Sequence, residues 1–121
     1  MRALAQRITH LNDEIAAHDQ VMVEMLDEVA PQLLDEAGIG PVSAATFVLA
    51  WSHHGRCRNE AAFARLAGVA PLPATSGQNQ NRHRLNYGGD RRINTALYMV
   101  AVTRLRQDPT TRAYMQRRLA E

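Results

Sequence analysis

Ser76 stands directly before Gly77, and four arginines, Arg82, Arg84, Arg91 and Arg92, follow within sixteen residues of it. A serine beside glycine has an unhindered hydroxyl. A serine oxygen near several guanidinium groups has the parts for phosphodiester chemistry: the oxygen attacks phosphorus, while bidentate arginine contacts bind the phosphate and neutralise its developing charge. Arg91 and Arg92 fall in the predicted first turn of a helix. Basic side chains there oppose the helix dipole, so something other than helix stability favours them. His83, between two of the arginines, is a conceivable base. Taken singly, each residue also has a plain structural explanation: Ser76 as a turn or capping hydroxyl, the arginines as a solvated face, His83 as an exposed loop side chain.

Gly38-Ile39-Gly40 is a second candidate for holding phosphate. Two glycines around one apolar residue permit a tight hairpin with N–H groups pointing outward. Together with the N-terminus of the following helix, such groups bind an anion. Asp35 and Glu36 precede the hairpin, no basic residue adjoins it, and a ligand-free interhelical turn has the same composition. His18 interrupts an apolar helix seam, either as a metal ligand or pH switch or as a polar register-setting residue. The other histidines share no ligand spacing with it, and the single cysteine, Cys57, excludes an internal disulfide and a multi-cysteine zinc site. No metal site is assigned to the chain.

The elements that must position these groups read as helices. Leu4, Ile8, Leu11, Ile15, His18, Met22, Met25 and Val29 follow alternating steps of four and three, a heptad seam ended by Pro31. A short turn of helix is predicted over 32–37. Pro41 then opens a strongly apolar helix over 42–53, expected to be buried on more than one face. Asn59 caps a helix over 60–67 that Gly68 terminates. Residues 69–89 are irregular, with a short strand expected over 85–87. Asp90 caps a helix over 91–107 with Ile93, Leu97, Val100, Ala101 and Leu105 as its buried stripe. Asp108-Pro109 opens the last helix, through Leu119. The fold class is all-α: a coiled-coil helix over 1–30, then a compact helical domain over 31–121. That domain holds a helix-hairpin-helix element at about 32–53 and a serine loop over 68–92. Residues 72–89 are expected to be poorly ordered without nucleic acid, or shaped by contacts.

The 121 residues suit one modest core, and no apolar run approaches the ~18 residues of a transmembrane helix. No secretory signal core is present at the N-terminus. The net charge of +2 hides a segregation. Residues 1–60 carry four arginines against nine acidic residues, and residues 61–121 carry ten against three. All fourteen basic residues are arginine. A GC-rich genome, in which arginine codons replace lysine codons, explains the missing lysines but not the split, which suits an acidic supporting half and a basic half that meets a polyanion.

Gly38 to Pro41, Phe63 to Leu66 leading into Gly68-Val69-Ala70-Pro71, Ser76-Gly77, and Gly88 to Arg92 followed by Ala96-Leu97-Tyr98 form an ordered set. Through it, residues from about 35 to 115 resemble the C-terminal domain of the IS-one-ten family of insertion-sequence transposases (the IS one-sixteen and IS nine-oh-two group). The resemblance implies a DNA recombinase in which Ser76 is the nucleophile, Gly77 is its following glycine, and Arg82, Arg84, Arg91 and Arg92 occupy the basic segment. It implies a magnesium-binding RuvC-like domain that this chain lacks, so the chain reads as a portion of a longer enzyme, inactive alone. DNA, a guide RNA from the element, and a homodimer or higher oligomer are the implied partners, in the bacterial cytoplasm at the nucleoid. A non-catalytic DNA- or RNA-binding and dimerisation module is the alternative.

Overall fold

The computed structural model describes residues 1–77 and 82–121. Five α-helices carry the fold: α1 (Arg2–Val29), α2 (Pro41–Trp51), α3 (Glu60–Leu66), α4 (Arg91–Gln107) and α5 (Pro109–Ala120). A 3₁₀ turn at Pro31–Leu33 and two short strands, β1 (Leu72–Pro73) and β2 (His83–Arg84), complete the described elements. The all-α reading holds. Among the described residues no helix is long and apolar enough to cross a membrane.

Helix α1 runs unbroken to Val29, and Pro31 removes the donor that would continue it. Its last turns bury Leu26 and pack on α2. α2 in turn packs on α4, and α4 on α5. The core is small: Phe47 from α2, Ala67 after α3, and Ile93, Ala96 and Val100 from α4. Phe63 closes it, edge-on to Phe47 at 6.4 Å and tilted to Trp51 at 6.0 Å between ring centroids.

Three local expectations are corrected. The turn of helix expected over 32–37 is the shorter 3₁₀ turn, because Pro31 starts it and the chain must bend into Gly38 at φ +84°. α2, as expected, is covered on more than one side: it packs on both α1 and α4 with Ala44 and Phe47 buried, while Val42 and Leu49 stay exposed. The buried stripe of α4 is Ile93, Ala96 and Val100, with Leu97 partly covered and Ala101 and Leu105 exposed. Leu97 and Leu105 are larger than Ala96, but the close approach of α2 favours the small side chain at the contact. The strand expected over 85–87 lies at His83–Arg84 instead, where its partner Leu72–Pro73 fixes the register.

The caps are as the sequence reads. The Asn59 side chain accepts from the Ala62 N–H at 2.9 Å. Asp90 accepts from Arg92 at 2.7 Å. Asp108 accepts from Thr110 and Thr111, and the Thr111 hydroxyl with these amides holds its carboxyl below the usual carboxylate range.

Candidate functional site

The loop between α3 and α4 is anchored at both ends by the end of α3. Gly68, at φ +72°, lets the chain turn in the left-handed region. There the Gly68 N–H reaches the Arg65 carbonyl at 3.1 Å and the Val69 N–H reaches Ala64 at 3.0 Å, the Schellman pattern. The returning end of the loop satisfies the rest. Asn86 Nδ2 donates to the Arg65 carbonyl at 3.1 Å, the Asp90 N–H donates to Leu66 at 2.7 Å, and Asn94 Nδ2 donates to Ala67 at 3.1 Å. Helix ends leave such carbonyls without intrahelical partners, and an unpaired buried one is costly. Truncating Asn94 to alanine should therefore cost about 1–2 kcal/mol, read as a lower urea midpoint.

At the crossing itself, Gly68 and Gly89 meet backbone to backbone. A Cβ on Gly89 would overlap the Gly68 backbone, and a Cβ on Gly68 would sit 3.1 Å from the Asn86 carbonyl oxygen. The two glycines are what allow the loop to leave and re-enter at one point.

Beyond that crossing the loop forms an antiparallel ladder. Leu72 pairs with Arg84 and Pro73 with His83, and the Ala74 N–H donates to the Arg82 carbonyl at 2.7 Å. The base of the loop is thus paired within the chain itself. The expectation about order over 72–89 extends to residues 78–81, which lie outside the described residues. Ser76 stands two residues past Ala74 and is exposed. Across the ladder Arg84 lies opposite Leu72, and the Arg82 carbonyl meets the Ala74 N–H two residues before Ser76. His83, opposite Pro73, falls on the other face.

The remaining candidates separate. Arg91 lines a concavity of about 240 Å³ with Leu85, Asn86 and Tyr87, on the side of the serine loop. Arg92 lines a different one, of about 270 Å³, with Arg56, Asp90 and Leu49 of α2. Neighbouring residues on a helix project ~100° apart, which divides the pair. Arg56 was not singled out by sequence; its signal was its place in the basic loop after α2. Gly38 and Gly40 are remote from the serine loop. A Cβ on Gly38 would sit 3.2 Å from the Val100 carbonyl oxygen, far along α4 from Asp90, and Glu36 beside it pairs with Arg104 at 3.3 Å. The close approach of this turn to α4 accounts for Gly38. Gly77 is exposed next to Ser76. Among the described residues no group of three or more His, Cys, Asp or Glu side chains is arranged to hold a metal ion.

The model of the "Transposase IS116/IS110/IS902 family" matches residues 30–116. The chain is 32% identical to the insertion element IS900 uncharacterized 42 kDa protein of Mycobacterium paratuberculosis, over 98% of this chain and 30% of that protein. It is 25% identical to the insertion element IS110 uncharacterized 43.6 kDa protein of Streptomyces coelicolor, again over 98% of this chain and 30% of the relative. With the insertion element IS116 uncharacterized 44.8 kDa protein of Streptomyces clavuligerus it shares 28% identity over 95% of this chain and 30% of the relative. The chain thus spans about 30% of the length of these relatives. No solved structure matches it.

Proposed function

Since the chain belongs to the IS116/IS110/IS902 family of transposases, we propose that it is the C-terminal catalytic portion of a serine-dependent DNA recombinase that moves an insertion sequence. Ser76 is the nucleophile. Its Oγ attacks a DNA phosphorus, the serine proton passes to a base, and the bond to the leaving strand breaks as the Ser76 ester forms. The leaving oxygen takes up a proton. The phosphoseryl ester conserves the bond energy, so a strand hydroxyl can later attack it and release Ser76.

Arg82 and Arg84 are assigned to the phosphate, where they neutralise the charge that builds on the non-bridging oxygens. The observation that supports this reading is the β1–β2 pairing, which sets Arg84 opposite Leu72 and the Arg82 carbonyl against the Ala74 N–H, two residues before Ser76. Arg91 supports the same side of the loop. Magnesium belongs, on this reading, to a separate acidic domain that also completes the site, and a guide RNA from the element selects the DNA. The protein acts at the bacterial nucleoid as a dimer joined through α1.

The test is a full-length protein carrying this chain, incubated with a nicked suicide duplex. It is expected to trap a covalent protein–DNA adduct that Ser76→Ala eliminates. An adduct that survives Ser76→Ala rejects the assignment. Salt-dependent binding with no adduct in either protein would favour a non-catalytic module. A separate expectation concerns the arginines: Arg82→Ala with Arg84→Ala should flatten the dependence of log affinity on log salt by ~0.9 per lost duplex phosphate contact, or roughly 2 in all.

A further inference from the structure

In α1 most of the heptad seam is bare in the single chain, with only Met22 of its apolar positions partly buried. Leu4, Ile8, Ile15, Met25 and Val29 are each more than half exposed, although Leu26, one turn before Ala30, is buried against the body. Such a stripe is unfavourable in water and fits a second copy of the same helix. The charges beside it decide how that copy lies.

With Ile8, Ile15, Met22 and Val29 at one core position and Leu4, Leu11, His18 and Met25 at the other, Arg7, Glu14, Val21 and Glu28 flank one side of the seam. Ala5, Asn12, Asp19 and Leu26 flank the other. A parallel pair sets Glu14 against the partner's Asp19, twice by symmetry, and stacks His18 on its own mate. It also directs Val21 at Leu26, whose side chain is already committed to the core. An antiparallel pair in the register Leu4–Val29, Ile8–Met25, Leu11–Met22 and Ile15–His18 separates Glu14 from Asp19 and His18 from its mate, setting Glu14 beside the partner's Val21 instead. It sets Arg7 against the partner's Glu28, Asn12 against the partner's Asp19, and the small Ala5 beside the partner's Leu26.

We infer that two copies of this chain associate through α1 in antiparallel orientation, with the partner's Leu4 beside Val29. Val29 also lines the rim of an apolar groove of about 980 Å³ shared with Leu33, Trp51 and Phe63, so the seam runs directly into that groove. The inference rests on the dimer reading above and adds its direction and register. It places the two serine loops at opposite ends of the paired helices, about 40 Å of helix apart along the axis.

Disulfide trapping tests it in a Cys57→Ala background. Chains carrying Leu4→Cys mixed with chains carrying Val29→Cys are expected to cross-link to each other, while Leu11→Cys chains do not cross-link to themselves. Self-linked Leu11→Cys dimers would overturn the orientation and leave the dimer standing. A monomer by sedimentation at all concentrations would overturn both. Charge reversal gives a check without cysteines: Arg7→Glu is expected to weaken the dimer about tenfold, and adding Glu28→Arg to restore it to within about twofold. Failure of the second substitution to restore it contradicts the register.

Discussion

Replacing Ser76 by alanine in the full-length recombinase is expected to reduce strand exchange by on the order of 10³-fold or more, with DNA affinity unchanged to within about twofold. The split follows from where the residue sits. Ser76 is exposed beyond the paired base of the serine loop, so removing its oxygen should disturb neither the core nor the ladder. On the proposed mechanism the hydroxyl matters only when it forms the bond to phosphorus, an interaction made in the transition state. Loss of affinity in parallel with loss of rate would mean that Ser76 binds DNA rather than attacks it. Single-turnover rates set beside equilibrium binding separate the two.

Gly89→Ala is expected to be the most damaging single methyl group in the chain. The added Cβ collides with the Gly68 backbone, and neither partner is a side chain that could swing away. Relief requires the loop ends to part. That breaks the Asp90 N–H bond to Leu66 and strains the Asn86 and Asn94 bonds that seal the end of α3. The cost should be about 3–5 kcal/mol, a large part of the stability of a domain this size. Thermal unfolding followed by circular dichroism should show a midpoint lower by roughly 10–20 °C. By contrast, Gly40→Ala meets no neighbouring atom within 4 Å and should shift the midpoint little. Equal effects at the two glycines would show that the Gly68–Gly89 crossing is not what fixes the loop.

Helices and caps were legible because their signals are local. Asn59, Asp90 and Asp108 each needed only the next few residues to be read as caps, and Pro41 marked the start of α2. What the sequence hid is non-local. The stripe of α4 depends on which side α2 approaches, and Ala96 is buried because it is small, a fact that hydrophobic periodicity ranks below Leu105. The position of β2 depends on pairing with Leu72 and Pro73 across the loop. At the candidate site, Ser76 and the arginines were visible as residue types. Their grouping was not: strand pairing brings Arg82 and Arg84 alongside the segment that leads to Ser76, and Arg91 and Arg92 part company through helix geometry. Gly38 to Gly40 read as an anion cradle or a plain turn from sequence, and the close approach of Gly38 to Val100 and Thr103 is a packing role that only the fold reveals.

The central claim is that Ser76 itself becomes bonded to DNA. Trypsin cuts after Arg65 and Arg82, releasing a peptide over 66–82 whose only hydroxyl residues are Thr75 and Ser76. Mass spectrometry of the digested suicide-substrate adduct should find this peptide heavier by the linked nucleotide, with fragment ions placing the added mass on Ser76. Nucleotide mass on any other peptide, or on Thr75, would contradict the account.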